Sequence, residues 1–175
     1  MIRYAAYGSN LHPLRLNERI PAARLLGTGN VRGWCLQFHK RSEDGSGKCN
    51  ILLPGDGVYV AIYEMHEADK RKLDKIEGVG TGYRDATIGV PEFGHCHTYL
   101  GSSSYLCNDL APYDWYKEMV LLGCRKLDFP AFYTSAVDAV ATSPDPDETR
   151  SRRQWQTVER MRHDLYERTP GLPIA

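Results

Sequence analysis

Tyr4-Ala5-Ala6-Tyr7-Gly8-Ser9-Asn10-Leu11 decides how the chain is built. Ile2 to Ala6 is a short apolar run, the pattern of a buried strand, and Tyr7-Gly8-Ser9-Asn10 is a cluster of turn formers that breaks it. Leu11 to Ile20 reads as a short helix, with Pro13 tolerated only in its first turn. A strand that ends in a small-residue turn leading to a helix exposes backbone N–H groups, which suit carboxylates and developing oxyanions, while a plain β-turn is the bland reading of the same residues.

Further along, Trp34, Leu36 and Phe38 alternate within Gly33 to His39, which predicts a half-buried strand. Lys40 to Lys48 is polar and reads as a loop. Cys49 to Leu53 reads as a second strand, ended by Pro54-Gly55-Asp56-Gly57, and Val58 to Tyr63 as a third. His66 to Ile76 has helical composition, with Gly78 placed to supply a left-handed cap. Ala86 to Val90 and His95 to Leu100 predict two strands joined by a hairpin turn at Pro91-Glu92-Phe93-Gly94. Helices follow over Pro112 to Cys124 and Pro130 to Val140. After Ser143-Pro144-Asp145-Pro146-Asp147 comes a long charged helix striped by Trp155, Val158, Met161 and Leu165, a pattern of core packing or of a dimer contact. Thr169 to Ala175 reads as a fraying tail.

The 175 residues suit one domain, with a core over 1–129 and a helical extension over 130–175 packed on it. Strands with one interposed helix, then helices, predict a mixed α+β domain with a curved or closed sheet. Twenty-two basic and 22 acidic residues cancel, which argues against broad capture of nucleic acid or an anionic membrane. No apolar run approaches the ~20 residues of a membrane span, and the N-terminal residues leave no room for a signal peptide's apolar stretch. Five cysteines without a CxxC pair point to a reducing cytoplasm rather than a disulfide framework or zinc site. Cys35, Cys49, Cys107 and Cys124 read as buried small residues. His95 and His97 share one strand face, but two ligands do not make a metal centre.

The second chemical segment is Leu73-Asp74-Lys75-Ile76-Glu77-Gly78-Val79, followed by Gly82-Tyr83-Arg84. Glu77 falls at the C-terminal end of a helix, against the macrodipole, which disfavours its charged form and suits acid–base chemistry. An exposed glutamate paying a small electrostatic cost is the plain reading of the same position.

Together these segments resemble the gamma-glutamylcyclotransferase-like family. Tyr7-Gly8-Ser9-Asn10-Leu11 after an apolar strand looks like its signature loop. Asn50-Ile51, Pro54-Gly55 and Val58 to Tyr63 look like its central strands, and Leu73 to Val79 with Gly82-Tyr83-Arg84 like its catalytic segment. Cys96 to Tyr99 and Tyr116-Lys117 also resemble family positions; nothing after Phe129 does.

The resemblance implies a small closed or strongly curved mixed β-barrel flanked by helices. It implies conversion of a γ-glutamyl amide to 5-oxoproline and a free amine or amino acid, without metal or organic cofactor. Glu77 would be general base and then general acid. Tyr7, Gly8, Ser9, Asn10 and Leu11 would bind the glutamyl moiety, and Tyr83, Tyr99 and Tyr116 would line the pocket. Ser42 to Gly47 and Gly101 to Asp109 would wall the leaving amine. A γ-glutamyl small molecule is the expected partner of a monomer or homodimer. A catalytically silent binding module and a helical adaptor of the same fold remain open alternatives.

Overall fold

The computed structural model describes residues 1–167; the tail expected over Thr169 to Ala175 lies outside the described residues. Five strands form one mixed sheet in the order β2-β3-β1-β5-β4. β1 (Ile2–Ala6) is central, antiparallel to β3 (Gly47–Met65) and parallel to β5 (Gly94–Gly101). β2 (Arg24–Arg41) pairs antiparallel with β3, and β4 (Tyr83–Val90) antiparallel with β5. β1 and the second half of β3 are apolar on both faces because both faces are covered: Ala5, Ala6, Val60, Ala61, Ile62 and Tyr63 are fully buried.

Two long strands replace the three short ones expected between Gly33 and Tyr63. Pro54-Gly55-Asp56-Gly57 does not end a strand; β3 runs through it, Gly55 pairs with Gly33, and register shifts on either side absorb the irregularity. Lys40 likewise belongs to β2 rather than to a loop. The closed-barrel expectation is corrected to a curled, open sheet. Val90 and Phe93, at the β4–β5 hairpin, pack over Gly29 and Gly27 of β2, yet no ladder joins β2 to β4 among the described residues. Side chains bring the edges together without backbone bonds between them.

The turn after β1 is a single 3-10 turn, Ser9–Leu11, leading into α1 (Pro13–Arg19). α2 (Glu67–Glu77) connects β3 to β4, and α3 (Asp114–Lys126) buries Trp115, Tyr116 and Met119 to Cys124. α4 (Ala131–Asp138) and α5 (Glu148–Glu167) follow. The α5 stripe faces inward: Val158 and Met161 are fully buried, with Trp155 and Leu165 packed at the margin, and α5 lies against α3 and α1. A clasp fixes its start, where buried Asp145 accepts hydrogen bonds from Trp115 Nε1 at 2.9 Å and Arg150 Nε at 2.8 Å. Cys49, Cys96 and Cys124 are buried as small core residues, whereas Cys35 and Cys107 are only half-buried, a correction to the expectation for that pair. No described helix is long and apolar enough to cross a membrane.

Candidate active site

The end of α2 and the turn after β1 meet at one point. α2 stops where a glycine permits it: Gly78 takes a left-handed conformation at φ 68°, ψ 48°. The Gly78 N–H then donates to Lys75 O and the Val79 N–H to Asp74 O, so the last-turn carbonyls are satisfied and the chain departs sharply. Glu77, the last helical residue, is left projecting toward the turn that follows β1. Asn10 of that turn, almost wholly buried, donates from Nδ2 to Glu77 Oε1 at 3.0 Å. The same amide nitrogen donates to Tyr4 Oη at 3.1 Å, and Asn10 Oδ1 accepts from Arg19 at 2.8 Å. Arg19 also pairs with Glu77 Oε1 at 2.8 Å. The guanidinium therefore opposes the helix-end field that the sequence reading emphasised: an adjacent positive charge stabilises the carboxylate that the macrodipole disfavours.

Beside this carboxylate lies a narrow recess of about 30 Å³, lined by Tyr4, Tyr7, Gly8, Ser9, Asn10, Cys49, Glu77, Tyr83, Tyr99 and Tyr116. Burial raises the pKa of Tyr4, Tyr7, Tyr83, Tyr99 and Tyr116 well above the ordinary phenol range, so the wall presents neutral hydroxyls. Several are already committed. Tyr7 donates to Tyr99 O, Tyr83 to Cys49 O at 2.5 Å, and Tyr99 to Asp74 Oδ1 at 2.8 Å, while Tyr116 Oη accepts from Cys49 N at 3.2 Å. These bonds fix the rings more than they offer free donors. Burial likewise pushes the Cys49 thiol up, which removes thiolate character from the only cysteine on this wall.

The recess opens past Ser9, Glu77, Tyr83 and Tyr116 into a cleft of about 280 Å³. Four cationic and two acidic side chains line this cleft: Arg19, Lys40, Lys48 and Lys75 against Glu43 and Glu77. Of the two loops named for the leaving amine, 42–47 gives Ser42 and Glu43 to this wall and 101–109 gives no residue; Asn108 and Asp109 line a separate cleft. Of the residues expected to form the site, Tyr7, Gly8, Ser9, Asn10, Glu77, Tyr83, Tyr99 and Tyr116 line the recess together. Leu11 stands behind it, fully buried, with its carbonyl accepting from Tyr63 Oη at 2.7 Å. Tyr4 and Arg19 are additions. Tyr4 sits in the quoted strand and faces the same side as Ala6, but an aromatic in a buried strand gives no separate signal. Arg19 has the ordinary look of a basic residue in a helix's last turn. His97 contacts Asp85 at 2.5 Å, and no cluster of metal-binding type occurs among the described residues.

Residues 57–137, which include Glu77, Tyr83, Tyr99 and Tyr116 but not the turn after β1, match the model of the AIG2-like family. The gamma-glutamylcyclotransferase of Bos taurus is 27% identical over 148 residues, covering 78% of this chain and 77% of the relative. The gamma-glutamylcyclotransferase of Homo sapiens is 26% identical over the same shares of the two chains. The solved structure of a gamma-glutamyl cyclotransferase has a TM-score of 0.76 at 23% identity, covering 91% of this chain and 98% of that one. An uncharacterized Homo sapiens protein has the same TM-score at 24% identity, with 90% and 98% covered. At such identities the structural likeness carries the fold, a mixed α+β domain around this sheet.

Proposed function

We propose, for a chain that is gamma-glutamylcyclotransferase-like in sequence and fold, that it cyclises a γ-glutamyl amide to 5-oxoproline and frees the amine, with Glu77 moving the protons. The observation that carries this reading is the Asn10–Glu77 hydrogen bond of 3.0 Å, because it joins the two segments that sequence alone singled out. The curated relatives named gamma-glutamylcyclotransferase support the reaction type.

The chemistry needs little else. An α-ammonium group with a reference pKa near 8 is mostly protonated at neutral pH and has no lone pair for attack. Glu77 accepts one of its protons. The freed amine attacks the γ-carbonyl carbon, forming a five-membered ring whose closure is intramolecular and therefore entropically inexpensive. Negative charge gathers on the carbonyl oxygen. Leu11 N–H is committed to Gly8 O at 2.9 Å, whereas the Ser9 and Asn10 N–H groups that open the turn have no acceptor within it and suit that charge. The scissile C–N bond breaks as Glu77 returns its proton to the departing nitrogen, and the second α-nitrogen proton follows the same carboxylate. Two protons thus pass from one nitrogen to the other, the carboxylate ends as it began, and no covalent intermediate forms. Arg19 and Asn10 hold Oε1 by two donors, which leaves Oε2 as the proton carrier. The absence of disulfides among five thiols fits a cytoplasmic setting for this reaction.

The direct test is to incubate the purified protein with a panel of γ-glutamyl dipeptides and γ-glutamyl amines and measure 5-oxoproline by chromatography. Release from at least one member is expected; no release from any member overturns the reading.

A further inference from the structure

α2 carries Glu77, yet apolar packing holds this helix by little. Of its eleven residues only Leu73 is buried, and Ile76, next to Glu77, is 41% exposed. Apolar burial is non-directional, so one leucine does not fix the helix's tilt. A set of directional bonds on the sheet side does. Asp74 stands three residues before Glu77, where side chains are neighbours on a helix surface. Its Oδ1 accepts from the Tyr99 hydroxyl at 2.8 Å. Lys70, one turn earlier, donates to both Asp74 oxygens at 3.1 Å and to Asp85 Oδ2 at 2.8 Å. α2 is thereby tied to β4 and β5. The Asp74 carbonyl also accepts from Val79 N–H at 2.9 Å, so one residue both anchors the last turn and closes the helix end.

Tyr99 is the other half of this link. It is buried in β5, its ring lines the recess, and it packs edge-on against Tyr4 with centroids 5.7 Å apart. Tyr4 accepts from Asn10, which also donates to Glu77. The contacts therefore close a loop: Glu77, Asn10, Tyr4, Tyr99, Asp74, and back along α2 to Glu77. A buried phenol needs an acceptor, and a backbone carbonyl is enough, as it is for Tyr7 and Tyr83. Tyr99 instead donates to a carboxylate, a stronger and more directional partner, on the helix that holds the candidate base.

We propose that Asp74 is a positioning residue for the cyclisation: its bond to Tyr99 fixes the last turn of α2 and so the place of the Glu77 carboxylate against the recess. The role rests on the cyclisation reading above and adds to it a residue that acts through Glu77. Asp74 lines neither the recess nor the outer cleft, so it has no contact of its own with a ligand there. Asn10 and Arg19 grip Glu77 Oε1 from the side of β1 and α1, while Asp74 grips its helix from the side of β5. With that second grip gone, the last turn moves and the free carboxylate oxygen leaves its place. Proton transfer needs a heavy-atom separation of about 2.6–3.2 Å, and a misplacement of about 1 Å slows a reaction by on the order of a hundredfold. The turn after β1 and the tyrosine wall still accept substrate, so the loss falls on kcat rather than KM.

The test measures 5-oxoproline release from the panel member that the wild type converts fastest. It compares Asp74→Ala, Asp74→Asn, Tyr99→Phe and the Asp74→Ala/Tyr99→Phe double variant, with folding checked by circular dichroism. Asp74→Ala and Tyr99→Phe are each expected to lower kcat by roughly tenfold to a hundredfold with KM within about threefold. Asp74→Asn keeps an oxygen that accepts from the Tyr99 hydroxyl and should return to within about threefold of the wild type. The double variant should be no slower than the slower single one, because the same bond is lost in each. A kcat within about twofold of the wild type in folded Asp74→Ala overturns the proposal, and so does a loss confined to KM. Losses that multiply in the double variant overturn it too, since the Tyr99 hydroxyl would then act on its own. So does a folded Asp74→Asn as slow as Tyr99→Phe, and where Asp74→Ala does not fold that comparison carries the test. A wild type that releases no 5-oxoproline from any panel member is a different failure, that of the cyclisation reading itself.

Discussion

Two of the spaces on this molecule make an instructive pair, and they share no lining residue. The larger, about 690 Å³, runs along β2 and the β4–β5 hairpin beside Tyr59 and the 70% exposed Phe132. The smaller is the tyrosine-walled recess with its cationic outer cleft, about 30 and 280 Å³. Volume favours the first, but chemistry favours the second. Around Glu77, a carboxylate, a guanidinium, a buried amide and five neutral phenols converge from β1, α1, α2, β4, β5 and α3. Around Phe132, Arg32, Asp56 and Glu92 stand in an open trough with no such convergence. A site is recognised by buried polar groups held at a cost and aimed at one place, rather than by room.

The sharpest way to break this contrast is Glu77→Gln. It should lower 5-oxoproline formation by roughly 10²–10⁴-fold, because an amide cannot accept the ammonium proton. Substrate should still raise the unfolding temperature of that variant, since binding does not depend on the transferable proton. Equal turnover in calorimetrically folded protein would remove Glu77 from the mechanism. Arg19→Met comes next: it deletes both the ion pair to Glu77 and the bond to Asn10, and should cost roughly tenfold to a hundredfold in kcat/KM with circular dichroism unchanged. A loss below twofold would mean that the guanidinium merely decorates the site.

Asp145→Asn probes the frame that holds α3, and with it Tyr116, in place. The Asp145 carboxyl is pushed down to about 2, first by its hydrogen bonds from Arg150 and also by those from Asp147 and Trp115. A group whose folded value lies below its unfolded one stabilises the protein above the unfolded value, near 4, and loses that contribution as pH falls toward 2. The variant should therefore be less stable than the wild type by about 1–3 kcal/mol at pH 7 in urea titrations. The gap should close as pH falls from 4 to 2; a pH-independent gap would contradict the clasp. The smallest effect is expected from Phe132→Ser in the larger cleft. Turnover should stay within about twofold and stability within about 0.5 kcal/mol, as for other exposed substitutions. A large loss of activity there would reverse the ranking of the two spaces.

The part of the chain that carries the candidate site was legible where local chemistry and fold agree. β1 and its turn, α2 with its Gly78 cap, and the β4–β5 hairpin at Glu92 and Gly94, both with positive φ, follow from residues acting on their own backbone. The missed stretches depend on a partner. Arg24 to Val31 has two glycines and no clean alternation, and it is a strand because β3 offers it a ladder from Glu64 to Val58. Propensity makes Pro54 a terminator, but bulges in a long hairpin let the pairing resume. Asn50 gave no hint that its amide would join His39 Nε2 at 3.0 Å to Gly101 N at 2.7 Å, tying β2, β3 and β5 together.

The sequence by itself determined which two segments matter, because a glycine-bearing turn and a carboxylate at a helix end are local facts of backbone geometry and dipole. Only the tertiary structure decided that these segments touch and that Arg19 supplies the counter-charge. Those are matters of distance and burial between residues far apart in the chain, and electrostatic energy depends on both, whereas sequence spacing records neither.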